Sequence, residues 1–333
     1  MRSYKDLFEK ITAFENVLSA AGKASKGKRF VHSVSEFNYS LESNVLKLRQ
    51  ELLSGTYQPG EYTIFSIYDP KAREISVAPF RDRVVHHAVC NILAPLWDKE
   101  MIFDNYACRK AKGTHKAILR FTEFSRKNAY VLKCDIRKYF ASIDRELLQE
   151  MVFRKIPEHK TRDLLKKIIC SKGAGLGLPI GNLTSQWFAN LYLNTFDHFV
   201  KEKLRCRYYL RYMDDFVFFA EHKEQLSVVR GQVMSFLQTI GLVLHENKCQ
   251  IIPVKNGIDF LGFKIFPTHR VLLKSNLHRI KRRLRFFQKK YRAGQISLED
   301  IQRSLSSWAG HAKWGDTYQL RHSLLLSHAF VRE

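Results

Sequence analysis

Arg207-Tyr208-Tyr209-Leu210-Arg211-Tyr212-Met213-Asp214-Asp215-Phe216-Val217-Phe218-Phe219-Ala220 is the stretch that decides how the chain reads. Aromatic and β-branched residues fill both halves, and a short polar centre divides them. That pattern predicts a β-hairpin with two carboxylates at its tip. Neighbouring side chains in a strand face opposite ways, so Asp214 and Asp215 share a task only where a turn swings them together. The pair also fits an ordinary solvated turn, because Asp is common in turns.

The chain has 333 residues, 45% of them hydrophobic, enough for two or three modules with real cores. Its 56 Lys and Arg outnumber 32 Asp and Glu, a formal net charge of +24. So large an excess points to a polyanionic partner. The cations are spread along the chain instead of flanking an apolar helix, which argues against a membrane surface. Met1-Arg2-Ser3-Tyr4-Lys5 lacks the apolar core of a signal peptide, and no run approaches the ~20 apolar residues that cross a bilayer. Six scattered cysteines (Cys90, Cys108, Cys134, Cys170, Cys206, Cys249) with no C-x-x-C pair read as reduced and mostly buried, in a cytoplasmic protein. Adjacent His86 and His87 cannot both face one metal from a helix, so zinc is not expected.

Outward from the hairpin, apolar spacing predicts one helix over 4–18 (Leu7, Ile11, Phe14, Leu18), a basic loop over 22–29 and a helix over 43–53. Residues 61–80 predict a second hairpin, with Asp69-Pro70-Lys71-Ala72 as its turn and Lys71 and Arg73 at the turn end. A helix carrying Val84, Val85, Ala88, Val89, Ile92 and Leu93 follows, then a basic loop from Tyr106 to His115 suited to a nucleic-acid backbone. Ala129 to Ile136 predicts a buried strand that ends in Asp135, with Phe140 five residues on. Helices are expected at 144–155 and 159–170. A glycine-punctuated loop then leads into a long helix from Thr184 that includes Phe199. Another helix spans 222–239, and a small hairpin or strand 257–265. Leu277, Ile280, Leu284, Phe287 and Tyr291 place a basic amphipathic helix in the tail. Ser297 caps a further helix that Gly310 closes.

Three acids thus stand at strand ends: Asp135, Asp214 and Asp215. Mg²⁺ takes hard oxygen ligands and is often held by one or two carboxylates plus substrate phosphates. Two such ions about 4 Å apart serve to activate an attacking hydroxyl and to stabilise a leaving pyrophosphate. Lys71 and Arg73 add cations for a triphosphate. A bulky Phe140 after the first acid suits the sugar side, where it would exclude a 2′-hydroxyl; plain core packing is the other reading.

Asp135-x-x-x-x-Phe140 and Tyr212-Met213-Asp214-Asp215 resemble the palm motifs of reverse transcriptases. Arg73 stands where that family has its fingers arginine. Gly241 to Lys248 is similar to the palm motif that carries a lysine, and Phe260-Leu261-Gly262 to the primer-grip hairpin. The resemblance covers about residues 60–265, and the basic helical tail fits the thumb. It implies an α+β, right-hand polymerase fold. Residues 1–55 would be an N-terminal helical extension, 56–128 fingers, 129–266 a palm of antiparallel sheet plus helices with a helical fingers insertion at about 145–175, and 267–333 a helical basic thumb. It implies two Mg²⁺ ions, replaceable by Mn²⁺, on Asp135, Ile136, Asp214 and Asp215. Lys248 would donate a proton to pyrophosphate, a plain surface lysine being the alternative. Lys71, Arg73, Phe140, Ile180, Gly181 and Gln186 would meet the nucleotide, and Lys281, Arg282, Arg285 and Lys289 the duplex backbone.

Many reverse transcriptases have Gln at the Ile180 position, in Pro-Gln-Gly; Leu178-Pro179-Ile180-Gly181-Asn182-Leu183-Thr184-Ser185-Gln186 instead resembles the reverse transcriptases of diversity-generating retroelements. Thr114-His115, the run from Leu261 to His269, and Ser307-Trp308-x-Gly310-His311-x-x-Trp314 also look like that group. This implies an error-prone RNA-dependent DNA polymerase that copies a template-repeat RNA and misincorporates opposite adenines. Template RNA, the RNA/cDNA duplex, dNTP and an oligomeric basic accessory protein would be its partners. Retron, abortive-infection and group II intron enzymes are the rival reverse transcriptases; no maturase or endonuclease extension follows, which weighs against the last. A nucleic-acid-binding scaffold with a non-catalytic polymerase fold is the rival outside enzymes. Ile180 replaces an amide that would hydrogen-bond near the nucleotide, and even 100-fold discrimination is only ~2.7 kcal/mol.

Overall fold

The computed structural model describes residues 4, 6–68, 72–173 and 175–331. The N-terminal segment folds as two helices, α1 (Leu7–Thr12) and α2 (Phe14–Ser25), where apolar spacing predicts one. Ala13 between them is extended, with ψ 136°. The break is stable because side chains take up the freed carbonyls of α1. Asn16 Nδ2 donates to Ile11 O at 2.9 Å, and Arg49 Nε to Thr12 O at 3.0 Å. Residues 22–25 of the expected basic loop are therefore helical. Then come α3 (His32–Tyr39), which apolar spacing misses, and α4 (Leu41–Ser54), closed by Gly55 at φ 75°.

The expected second hairpin is present as β1 (Thr63–Ile67) and β2 (Arg73–Val77), paired Thr63↔Val77 through Ile67↔Arg73. Helix α5 (Phe80–Asp98) follows. Asp82 in its first turn is buried and accepts from the Tyr57 hydroxyl at 2.9 Å and from Gly60 N at 2.8 Å. Helix α6 (Thr114–Ser125) leads into the central sheet.

That sheet contains β3 (Tyr130–Asp135), β4 (Tyr209–Tyr212), β5 (Asp215–Ala220) and β6 (Gln250–Pro253), in the antiparallel order β4-β5-β3-β6. Both faces are buried. Leu132, Cys134, Tyr209, Phe216 and Phe218 point into the main core, while Val131, Leu210, Val217 and Phe219 join a second core with Phe121, Phe260 and Phe263. This explains a near-continuous apolar run instead of an alternating one.

Between β3 and β4 lie α7 (Tyr139–Ser142), α8 (Arg145–Phe153), α9 (His159–Ile169), α10 (Leu183–Tyr192) and α11 (Asn194–His198). The long helix expected from Thr184 is thus interrupted at Leu193, and Phe199 stands in a following π-type turn, Phe199–Lys203. Helix α12 (Lys223–Thr239) agrees with expectation. The small hairpin, β7 (Ile258–Phe260) and β8 (Phe263–Ile265), gains a third strand, β9 (Arg270–Leu272), beyond Pro267. The tail forms α13 (Lys274–Arg292), α14 (Leu298–Ala312) and α15 (Tyr318–Leu326). Ser297 caps α14 by accepting from Asp300 N, but the helix runs through Gly310 and does not end there. All six cysteines are free; Cys90 and Cys134 are buried, whereas Cys108 is exposed and the rest intermediate, so "mostly buried" overstates their burial. Among the described residues no helix is long and apolar enough to cross a membrane.

Candidate active site

Asp135 ends β3 and Asp215 begins β5, and the two are register partners. Directly paired residues on antiparallel strands face the same side, so the carboxylates share one face of the sheet. Asp214 is separate. It occupies the two-residue turn Met213-Asp214 between Tyr212 and its partner Asp215. Met213 has φ 58°, the positive first position of a II′-type hairpin turn, which a non-glycine residue adopts at a cost. The turn therefore holds only one acid, and the strand pairing supplies the second.

A buried network supports this turn. Arg211 Nη1 donates to Met213 O at 3.0 Å and to Asn190 Oδ1 at 3.1 Å. Its Nε and Nη2 donate to the two Asp197 oxygens at 2.7 and 2.6 Å, and the Tyr209 hydroxyl joins Asp197 at 2.7 Å. Sequence reasoning misses Arg211 and Asp197 as site residues. The available signal is one arginine inside an otherwise apolar strand, which demands a buried partner.

The acids load the site with negative charge. Burial, opposed by a backbone hydrogen bond and reinforced by Asp135, raises the pKa of Asp214. Burial and then the Asp214 carboxylate push Asp215 up to about 6. Lys248 Nζ donates to Asp135 Oδ1 at 2.6 Å, so this lysine is ion-paired at the site and is not a plain surface residue. His245 N to Asp135 O (2.8 Å) and Arg137 N to Val243 O (2.9 Å) pin the segment that carries it.

A cleft of about 670 Å³ opens beside Asp214, lined among others by Arg73, Lys138, Phe140, Lys172 and Ile180. It gathers residues from β2, the segment after β3 and the glycine loop, which lie far apart in sequence. The loop is tied to β2 where Ser76 N donates to Ile180 O at 2.8 Å. Gly181 has φ +129°, and a Cβ there would stand 2.7 Å from Ser76 O, so its role is close backbone approach. Lys172 pairs with Glu74 at 3.5 Å across the same cleft. Lys138 and Lys172 were not singled out in the sequence, since each is one more lysine in a basic chain. Gln186 is exposed outside the cleft and accepts from Cys108 Sγ at 3.3 Å. Lys71 lies outside the described residues. Ile136 is buried and bridges to Leu244. Lys281, Arg282, Arg285 and Lys289 are all exposed on α13, opposite its buried Ile280, Leu284, Phe287 and Tyr291.

Among the described residues no three His, Cys, Asp or Glu side chains form a ready-made metal cage. The donors present are all oxygens: two carboxylates on one sheet face and a third in the adjoining turn. Burial first, and then repulsion from the neighbouring carboxylates, raises the pKa of Asp214 and Asp215, and a cation would relieve that repulsion. Such an open, oxygen-only set suits a hard divalent ion whose remaining ligands come from substrate phosphates.

The family model described as reverse transcriptase (RNA-dependent DNA polymerase) matches residues 68–265, more than half of the chain. Protein YkfC of Escherichia coli (strain K12) is 27% identical over 268 residues, 66% of this chain and 70% of YkfC. The putative COX1/OXI3 intron 1 protein of Saccharomyces cerevisiae is 27% identical over 283 residues, 66% of this chain but 34% of that protein. The group II intron-encoded protein LtrA of Lactococcus lactis subsp. cremoris is 25% identical over 201 residues, 56% of this chain and 33% of LtrA. The apo telomerase of Candida tropicalis superposes with a TM-score of 0.50 at 14% identity, over 80% of this chain and 61% of that one, a likeness of fold. The sheet with its paired acids, the turn between its strands and the matched family model agree: this chain belongs to the reverse transcriptases, the RNA-dependent DNA polymerases.

Proposed function

We propose that this chain is the polymerase of a diversity-generating retroelement, a cytoplasmic enzyme that copies a template-repeat RNA into cDNA with errors opposite adenines. The position of Ile180 carries this reading. It lines the same cleft as Asp214, Phe140 and Arg73, where an amide side chain would have reached the incoming nucleotide. In this assignment Asp135, Asp214 and Asp215, with the Ile136 carbonyl, hold two Mg²⁺ or Mn²⁺ ions. Held by these residues, such ions would supply Lewis-acid chemistry for the primer 3′-hydroxyl and the triphosphate. Arg73 binds the triphosphate with Lys138 beside it, Phe140 lies under the sugar, and Gly181 shapes the loop instead of touching the substrate. Lys71 and Gln186 remain as further nucleotide contacts. Lys248, paired with Asp135, donates a proton to pyrophosphate, and the exposed cations of α13 follow the duplex backbone.

The same reading divides the chain into an N-terminal extension (1–55), fingers (56–128), palm (129–266) and thumb (267–333). An oligomeric basic accessory protein would meet the N-terminal helices or the thumb, and co-purification with the neighbouring gene's product tests that contact.

A second reading is an intron-type reverse transcriptase, favoured by the intron-encoded relatives. The error spectrum of cDNA made on an RNA template separates the cases. Asp214→Asn and Asp215→Asn are expected to abolish synthesis, and retained synthesis would remove the assignment of these acids to the metal site. Ile180→Gln is expected to lower errors at template adenines. Equal error spectra would leave the intron-type reading standing.

A further inference from the structure

Two motifs have no part in the site described above: Thr114-His115, and the segment from Ser307 to Trp314. The fold brings them together. The His115 ring stacks on Trp314 with centroids 4.4 Å apart and planes 14° from parallel. His311 stands 6.0 Å from His115 and 4.7 Å from Phe263 of β8. Beside His115, the Thr114 hydroxyl shares a 3.0 Å hydrogen bond with the Tyr212 hydroxyl, and Tyr212 is the register partner of Asp215.

On its other side the stack reaches the basic helix. A Cβ on Gly262 would meet His311 Nε2 at 3.1 Å, so the β7–β8 turn lies directly against this ring. The Gly262 carbonyl accepts from Leu273 N at 3.2 Å and from Asn276 Nδ2 at 3.0 Å. Those residues cap and open α13. The tail helices otherwise bury their apolar faces largely against one another: Ile280 and Leu284 against Leu324, and Phe287 and Tyr291 against Ile301. Their link to the core under the central sheet runs through few side chains, chiefly Leu272, Trp308, Ala312, Trp314 and Leu320. Of these attachments, the His115–Trp314 stack is the one that adjoins Thr114 and, through it, Tyr212, the register partner of Asp215.

We infer that the Trp314–His115–His311 ring cluster is a clasp that sets the position of α13 relative to the Asp135–Asp215 pair, so that His115 and Trp314 are positioning residues for the primer end. They touch neither substrate nor metal. They act through Thr114 and Tyr212 on one side and through Gly262 and Asn276 on the other. The inference rests on the polymerase reading, because the primer end is what the clasp aligns.

The test is steady-state primer extension by the full chain on an RNA template, with His115→Ala, Trp314→Ala, their double variant and Trp314→Phe. Each alanine variant is expected to lower kcat about tenfold with the dNTP KM within about twofold, and to shorten products. The double variant should lose no more than the worse single one, and Trp314→Phe, which keeps a stacking ring, should recover. A merely structural role would lower the active fraction without changing product length. Amide hydrogen exchange without substrate is the companion measurement. Trp314→Ala is expected to speed exchange at residues 113–117 and 212–216. Wild-type extension by both single variants, or additive losses in the double one, overturns the clasp. A wild-type chain that extends no primer removes the polymerase reading instead; unchanged exchange in Trp314→Ala then overturns the clasp by itself.

Discussion

Arg211 and Asp197 form an ion pair of 2.6 Å in which neither side chain has any solvent exposure. Burial pulls the guanidinium pKa down, but the Asp197 carboxylate more than offsets this and holds it above the ordinary arginine value. The same guanidinium donates to Met213 O, so the pair is fastened to the turn that carries Asp214. The positive φ of Met213 is paid for by this anchor.

Removing one partner leaves the other charge buried and unpaired. Asp197→Asn is expected to lower the unfolding free energy by about 3 kcal/mol, read as a drop in urea midpoint at unchanged slope. Replacing both residues together by apolar ones of similar size should cost less. A single variant with the wild-type midpoint would show that the pair does not support the turn.

Asp215 gives stability a specific pH dependence. Its folded pKa is about 6, against ~3.9 for an unfolded Asp. Between those values the folded chain binds more protons, so the contribution is fully present below about pH 4 and lost as pH rises through about 6. In chelator, wild type is expected to lose about 2 kcal/mol across that window relative to Asp215→Asn. Parallel stability curves for the two proteins would contradict the assigned environment.

Gly181→Ala meets two obstacles at once, a φ of +129° and a Cβ position 2.7 Å from Ser76 O. A cost of about 2 kcal/mol is expected, with the Ile180 loop displaced from β2 and a raised dNTP KM. Thermal melts and dNTP titrations measure both. A neutral result would mean that the loop does not rest on β2 in solution.

Phe140→Ala opens the cleft where the sugar is assigned. Use of ribonucleotides relative to deoxyribonucleotides is expected to rise at least about tenfold, measured by primer extension with each alone. An unchanged ratio, with stability lowered, would make Phe140 a packing residue only.

Much of the candidate site was legible in the order of the residues. Asp135 closes a buried strand, and Tyr212 to Asp215 interrupts another apolar run; both are local patterns. Phe140 and Ile180 are near Asp135 and Asp214 by family resemblance, and the cleft gathers all but Asp135. The failures are also local in cause. One apolar stripe spans α1 and α2, yet Asn16 within α2 and Arg49 from α4 stabilise a break at Ala13. Gly310 looks like a helix stop, but with no left-handed backbone there α14 continues to Ala312.

The sequence by itself determined β3, the β4–β5 hairpin and the acids they carry, the basic helical tail and the family, because each is written in short-range spacing of residue types. Only the tertiary structure decided that Asp135 stands opposite Asp215, that Lys248 pairs with Asp135, and that Arg211 and Asp197 hold the turn from beneath. It alone joined His115 to Trp314. These relations depend on strand register and on packing between distant segments, and neither is encoded in the spacing of any one stretch.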